Sequence, residues 1–370
     1  MLEVIVHPLP ELTTEIVDSS IPTPGPDELL VKVEVAASNV KDWLHPTTRN
    51  ISLNSGDDMA GTVCALGGNV ESNGEFQVGH RVAAFHPMFT SGGTYAEYAV
   101  APRHTVFKIP DRMSFEEAAT IPLVVTTAAL SLFKIQGLPT PWSFPSSPTT
   151  NTTPLIIYGA SSSLGTFALK LALASNIHPI LAIAGSSSSH ILPLLDLTKG
   201  DCLIDYRSGI SAMQHAIRTF LAERDLEARH AIDAISANGS WITISQLLAP
   251  GGQLSVVSGV NAYDEPEMPE GVEVKYTFVG AVHEGLYKKG MPKQPARELV
   301  EGMPAFAGEL FEWLGGDEGA LAREVVKGHP FEVVSGGLDG VETGLRMLKS
   351  GNAGGKKFIY RVSETVRLAK

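Results

Sequence analysis

Along the first third of the chain, apolar residues alternate with polar ones over short stretches. Leu29 to Ala37 (LLVKVEVAA) alternates as a half-buried strand does. Met59 to Leu66 and Arg81 to Phe85 are short apolar runs bounded by Gly and Asp, and Gly92 to Val100 reads as another strand behind a glycine turn. Short strands with such glycine punctuation predict a small barrel. Ser114-Phe115-Glu116-Glu117 then predicts a capping box, in which the Ser114 hydroxyl takes the Glu117 amide and the Glu117 carboxylate reaches back. Helices are expected over Phe115 to Thr120 and Leu123 to Phe133.

Leu138 to Thr153 is rich in Pro, Ser and Thr and predicts a surface loop, either a neutral insertion or a lid. From Pro154 the pattern changes to strand and helix in turn. Strands are expected at Leu155 to Tyr158, Ile180 to Ala184, Cys202 to Asp205, His230 to Ala234, Gln253 to Ser258 and Val274 to Val279. Helices are expected at Ser163 to Ala174, from Ile191, at Ser211 to Ala222 and at Ser240 to Leu248. This alternation predicts an α/β region, a parallel sheet covered on both faces. Pro295 to Leu314 and Gly340 to Leu348 read as helices, and Lys356 to Val362 as a closing strand.

Length and charge narrow the picture. The 370 residues suggest about two domains at roughly 150 residues each. The net charge of −12 and the lack of a basic tract argue against a nucleic-acid surface, which needs clustered Lys and Arg. The two cysteines, Cys64 and Cys202, are too few for a disulfide framework or a multi-thiolate zinc site. The first residues lack the pattern of a signal peptide, and no apolar run approaches the ~20 residues of a membrane span. A cytoplasmic protein without membrane partners is the expectation.

The sharpest local signal is Tyr158-Gly159-Ala160-Ser161-Ser162-Ser163-Leu164-Gly165, which follows an apolar strand and opens a helix. Small residues there let the backbone approach a pyrophosphate, whose charge the helix amides and dipole hold. The middle glycine of G-x-G-x-x-G is Ser161 or Ser162 here, so the strict fingerprint fails. The alternative is a plain strand-to-helix turn; the surrounding alternation favours a dinucleotide. The second strand runs on into Gly185, Ser186, Ser187, Ser188 and Ser189, with no acid to hold a ribose diol. A carboxylate would repel a 2′-phosphate, whereas serine hydroxyls donate to one. NADPH is therefore the expected cofactor, with Tyr206 and Arg207 placed to meet its adenosine phosphate. The alternative for the serines is a simple polar turn.

These residues, with Ala37 to Trp43 (ASNVKDW), Gly56 to Gly61 (GDDMAG), Gly79 to Val82, Gly92 to Tyr98 and Gly354 to Phe358, resemble the zinc-free quinone oxidoreductase and enoyl reductase branch of the medium-chain dehydrogenase/reductase superfamily. Fungal trans-acting enoyl reductases are especially similar. Val40 departs from the branch's Asn-Pro-x-Asp-Trp segment and Ser162 from its usual Gly. The resemblance implies a GroES-like β-barrel catalytic domain at 1–123 that returns at 300–370, a Rossmann domain at 124–299, and a cleft between them. It implies a zinc-free site as well. A zinc alcohol dehydrogenase carries Cys near Lys41 and His near Asp57, and neither is present. Asp57 and Asp58 read as a solvated turn or strand cap facing opposite ways.

The resemblance also implies site residues. Asp42, Thr126, Val257, Ser258 and Val279 are expected near the cofactor, and Asn39, Lys41, Trp43 and Phe278 near the substrate. For Asp42 the alternative is a structural bond to backbone amides, for Lys41 a solvated side chain, and for Thr126 and Thr127 helix packing. Tyr95, His86 and His283 read as packed or surface residues, and no general acid is legible. The expected activity is NADPH-dependent hydride transfer to an activated C=C bond or a quinone. The substrate is a small molecule or a carrier-bound enoyl thioester, and the protein a monomer or homodimer. The alternatives are a non-catalytic dinucleotide-binding protein and a carbonyl reductase of the same fold.

Overall fold

In the computed structural model, which describes residues 1–143, 152–186, 188–283 and 302–366, the alternating N-terminal stretches form antiparallel sheets. Strands β1 (Leu2–His7) and β2 (Thr13–Asp18) make a two-stranded ribbon. Strands β3 (Glu28–Ala37), β4 (Asp58–Leu66), β5 (Arg81–Phe85), β6 (Tyr98–Pro102) and β7 (Val106–Lys108) belong to a larger sheet. In register, Ala37 of β3 lies opposite Asp58 of β4, which lies opposite Phe85 of β5. Asp58 therefore opens its strand deep in the sheet. The inward side chains, among them Val31, Val33, Met59, Tyr95, Phe358 and Tyr360, form one buried cluster.

The second sheet is parallel throughout. It contains β8 (Leu155–Tyr158), β9 (Ile180–Ala184), β10 (Cys202–Asp205), β11 (His230–Asp233), β12 (Gln253–Val256) and β13 (Glu273–Tyr276). Their order is β10-β9-β8-β11-β12-β13, so the direction of winding reverses beside β8. Ligands of doubly wound sheets bind at that switch point, outside the carboxyl ends of the strands. Every residue of β9 is buried, as a strand covered on both faces requires. The chain then supplies β14 (Phe331–Val333) and β15 (Lys357–Arg361) to the first sheet, with β15 antiparallel to β3.

Among the described residues, contacts divide the chain into two compact units. One comprises Met1–Leu123, Val282, His283 and the chain from Met303; the other comprises Val124–Ala281 with Gly302. No helix of the described residues is long and apolar enough to cross a membrane.

Several elements differ from the pattern-based expectation. Gly92 to Val100 is strand only from Tyr98, because its earlier backbone bonds go elsewhere: Thr94 N–H to Gly56, and the Tyr95 carbonyl to Val4. Past Ile191 the chain forms two short 3-10 turns, Leu192–Leu194 and Leu197–Lys199, instead of a helix; Pro193 offers no amide to continue one. The strand expected through Val279 ends at Tyr276. Ser114 caps its helix through the Glu117 N–H as expected, but the Glu117 carboxylate turns away to the Gly328 amide, 2.9 Å distant. Helix Pro122–Ala129 continues as a wider π-type turn, Leu130–Ile135. Buried polar groups hold that turn: Gln136 donates to the Ala231 carbonyl and the Ser255 hydroxyl, and Ser255 donates to the Ser131 carbonyl. The helix expected from Pro295 is described from Met303 to Leu314. Most of the Pro/Ser/Thr loop, and Pro295 to Glu301, lie outside the described residues.

Candidate functional site

In the parallel-sheet unit, the loop after β8 turns sharply at Gly159, whose φ of 74° favours glycine. Its Cα faces Ile235, so a β-carbon there would strike that side chain as well. Ser162 then caps the helix Ser163–Ala174, its hydroxyl accepting from the Gly165 N–H at 3.0 Å. The amides of Ser163 and Leu164 have no intrahelical acceptor at this end of a helix. A β-carbon on Gly165 would overlap the Gly159 carbonyl. The two glycines thus let loop and helix close on each other and keep a backbone cradle of small residues, Ala160 to Leu164. Thr166 supports it from below, donating to the Ala160 carbonyl and meeting His190. This cradle suits a pyrophosphate.

At the end of β9, Gly185 is buried and Ser186 exposed; Ser187 lies outside the described residues. A β-carbon on Gly185 would come 3.0 Å from the Tyr206 ring, so Tyr206 flanks the same corner, tilted against Tyr158 with ring centroids 6.2 Å apart. Arg207 is not a free guanidinium. It pairs with Asp205 at 2.6 Å, which holds the Asp205 carboxyl near 2. The acid missing from β9 is therefore present on the neighbouring strand, already neutralised by Arg207.

Farther along the sheet, Asp233 at the end of β11 organises the next loops. Its carboxylate accepts from the Ile235 and Ser236 amides and the Ser240 hydroxyl. The Ser236 hydroxyl in turn accepts the Val257 N–H at 2.9 Å. The Tyr263 hydroxyl donates to the Ser258 carbonyl at 2.6 Å and accepts the Ser258 N–H. The backbone polar groups of Ser258 are thus engaged internally. Thr126 is fully buried in its helix, and Val279 is buried beside half-buried Phe278.

In the barrel unit the surprise is electrostatic. Asp42, Asp57 and Asp58 are all essentially without accessible surface, at 0, 1 and 0%. The reading of Asp57 and Asp58 as a solvated turn is thereby corrected. Lys41 is not solvated either: its ammonium reaches the Ser55 carbonyl at 2.6 Å, Asp42 at 2.8 Å, and Asp57. The Ser55 carbonyl takes one proton of the ammonium, and the two carboxylates flank it as ion pairs. Asp42 also accepts from the Asn39 N–H and the Tyr95 hydroxyl, the latter at 2.6 Å. Asn39 continues the chain of contacts, its side-chain amide donating to Asp58 at 2.9 Å and accepting from Lys357 at 3.0 Å. Lys357, only 2% exposed, lies 2.5 Å from Asp58. Asp58 also accepts the Leu123 N–H at 2.7 Å. As expected, Asp57 and Asp58 point to different partners.

Three carboxylates and two ammonium groups thus share one buried network. Burial, reinforced by Asp42, overcomes the pull of Lys41 and pushes the Asp57 carboxyl up to about 8. Burial also raises Asp42. Lys41 is held above the ordinary lysine range, because Asp42 and Asp57 outweigh the cost of burial. Trp43 packs on the barrel core beneath the Lys349 ammonium, 5.9 Å above its ring. Of the four expected substrate residues, Asn39 and Lys41 join this network; Trp43 and Phe278 do not.

Three further histidines of this unit are held neutral. Burial pushes His45 down to about 3 and His86 to about 4, and lowers His283 strongly. His86 spans the Val100 carbonyl and the Thr90 hydroxyl; His283 meets the Thr105 hydroxyl. Among the described residues no cluster of His, Cys, Asp and Glu has the arrangement of a metal site.

Comparison with known proteins agrees with this architecture. Residues 25–111 match the model of the alcohol dehydrogenase GroES-like domain. The chain is 37% identical over 341 residues to a trans-enoyl reductase of Gibberella fujikuroi, covering 91% of each chain. Among solved structures, the CurK enoyl reductase superposes with a TM-score of 0.66 at 18% identity, over 96% of this chain and 98% of that one. A mycobacterial protein solved in complex with NADPH superposes with a TM-score of 0.67 at 18% identity, over 97% and 99%. At such identities the solved structures establish the fold.

Proposed function

Because this chain belongs to the trans-enoyl reductases, an enoyl reductase branch of the medium-chain dehydrogenase/reductase superfamily, we propose that it reduces the C=C bond of an enoyl thioester carried by a polyketide synthase, with NADPH as cofactor. The observation that carries this reading is the close approach of Gly165 to Gly159, which leaves a backbone cradle between β8 and its helix. Gly159 to Gly165 would hold the pyrophosphate, with the Ser163 and Leu164 amides toward its oxygens. Gly185, Ser186 and Tyr206 would meet the adenosine end. The exposed Ser186 hydroxyl suits a 2′-phosphate, while Asp205 is spent on Arg207. The cofactor supplies a hydride. An acceptor conjugated to a carbonyl takes that charge as an enolate, so protein hydrogen bonds can stabilise it without a Lewis acid.

The same reading makes the activity zinc-independent and cytoplasmic, in a monomer or homodimer. The test follows loss of reduced-nicotinamide absorbance with enoyl pantetheine thioesters, quinones and aldehydes. Turnover is expected with the thioesters and undiminished by chelators, and simple alcohols with NADP⁺ should react negligibly. Chelator-sensitive alcohol oxidation in place of thioester reduction would contradict it.

A further inference from the structure

The loop that leaves β12 carries a contact that the turn itself does not need. Tyr263 brings its hydroxyl back onto Ser258, donating to the Ser258 carbonyl at 2.6 Å and accepting the Ser258 N–H at 3.2 Å. It also accepts from the Asn261 side-chain amide at 3.2 Å. One proton to donate and two lone pairs are all that a hydroxyl has, so this one is fully used. Burial raises the Tyr263 pKa, which keeps the group neutral and able to donate.

The turn at Ser258 has other supports. The Ser236 hydroxyl takes the Val257 N–H at 2.9 Å, and Ser236 is itself fixed by Asp233, whose carboxylate accepts the Ser236 N–H at 2.8 Å. On the other side, Gly259 lies so close to β13 that a β-carbon on it would come 2.7 Å from the Tyr276 hydroxyl. Tyr263, by contrast, is held at a cost. Its φ is 60°, in the left-handed region that bulky residues avoid. Its ring meets Trp241 edge-on, with centroids 5.1 Å apart. A strained residue that engages both polar groups of one backbone position, at the carboxyl end of a strand, points to a functional place in the sheet.

Ser258 follows the end of β12, two strands from β8 in the order β8-β11-β12, or roughly 10 Å across the sheet. A dinucleotide whose pyrophosphate sits on the loop after β8 extends along the carboxyl ends of the neighbouring strands. With its adenosine toward β9, its nicotinamide half runs toward β11 and β12. There Ser258 presents one N–H and one C=O from a single residue. The complement of that pair is a group with an acceptor and a donor side by side. A tyrosine hydroxyl supplies both, and so does a primary carboxamide, through its C=O and NH₂. We propose that the Tyr263 hydroxyl is a built-in competitor for the nicotinamide carboxamide: it occupies the Ser258 backbone pair, withdraws when NADPH binds, and so sets the affinity for the cofactor. This rests on the NADPH reading. The exchange replaces two hydrogen bonds at Ser258 by two, so its net penalty lies in the contacts that Tyr263 gives up with Asn261 and Trp241.

Calorimetric titration of the whole protein with two ligands tests this. One is NADPH; the other is 2′-phospho-ADP-ribose, which has every part of NADPH except the nicotinamide. Tyr263→Phe keeps the ring against Trp241 and removes only the hydroxyl. NADPH should bind this variant about tenfold more tightly than wild type, the scale of one net hydrogen bond, and 2′-phospho-ADP-ribose should bind both proteins alike. Unchanged or weaker NADPH binding, or an equal gain for both ligands, overturns the proposal. Failure of the wild type to bind either ligand sinks the NADPH reading, and the proposal with it. A second measurement needs no variant. In nitrogen-15 NMR spectra of the wild type, the Ser258 amide resonance should shift on addition of NADPH and stay in place with saturating 2′-phospho-ADP-ribose. A Ser258 amide that ignores NADPH, or that both ligands move equally, overturns the proposal.

Discussion

Gly165 packs so tightly against Gly159 that a β-carbon on the first would overlap the carbonyl of the second. This contact fixes the height of the helix above the loop, and with it the depth of the cradle. Gly165→Ala should therefore push the two apart. The cost of such overpacking is about 1–3 kcal/mol, and NADPH affinity should fall at least about tenfold, or ~1.4 kcal/mol. Denaturant melts and fluorescence titration of NADPH check both. Unchanged affinity would mean that the cradle does not hold the cofactor.

The corner at Ser186 should govern cofactor choice. NADPH is expected to bind at least about tenfold more tightly than NADH, which is ~1.4 kcal/mol and modest for contacts to a phosphate. Ser186→Asp places a carboxylate where the 2′-phosphate is expected and should weaken NADPH while sparing NADH. Titrations giving equal affinities for the two cofactors in the wild type would remove the basis for this assignment.

The Lys357–Asp58 pair makes a separate prediction about stability. Lys357→Met strands a buried carboxylate and should cost about 3–5 kcal/mol. Lys357→Met combined with Asp58→Asn removes both charges and should recover much of that loss, a coupling that a double-mutant cycle of denaturant melts measures directly. Additive effects would show that the two charges do not support each other.

Much of the fold was legible because its signals are local. The alternation of Leu29 to Ala37, the apolar run Leu155 to Tyr158 and the glycine-serine turn after it each announce their element within a few residues. The buried network was not legible, for the opposite reason. Lys357 and Asp58 are separated by 299 positions, and nothing near either residue names its partner. Asp57 and Asp58 look like any polar turn until the register of β3, β4 and β5 places Asp58 inside the sheet, with Asp57 buried one residue before it. Local reading also overreached where tertiary partners competed. Glu117 had the right spacing to close a capping box, yet the Gly328 amide took its carboxylate. The strand expected through Ser258 stops at Val256, and beyond it the Ser236 hydroxyl, from the loop after β11, takes the Val257 amide while Tyr263, later in the loop after β12, engages Ser258.

Acid should destabilise the protein through its buried histidines. A folded-state pKa of about 4 for His86 lies below the unfolded value of about 6.5. The stabilisation is thus fully present above about 6.5 and lost as pH falls toward 4. Between pH 6.5 and 5 one such histidine accounts for about 2 kcal/mol. Asp57 works the other way: its raised pKa contributes stability below the ordinary carboxylate range that is lost as pH rises through 8. His86→Gln should flatten the acid limb by about 2 kcal/mol relative to wild type when denaturant midpoints are compared at pH 6.5 and 5. Parallel pH profiles for the two proteins would show that His86 is not held neutral.

Hydride from NADPH is expected to reach the β-carbon of an enoyl thioester. The most direct test is to supply NADPH deuterated at the transferred position with an enoyl pantetheine thioester, and to locate the label by NMR. One deuterium is expected at the β-carbon of the saturated thioester and none at the carbonyl carbon. Deuterium on a carbonyl carbon when an aldehyde or ketone is offered, with the enoyl thioester untouched, would contradict it and make the protein a carbonyl reductase of the same fold.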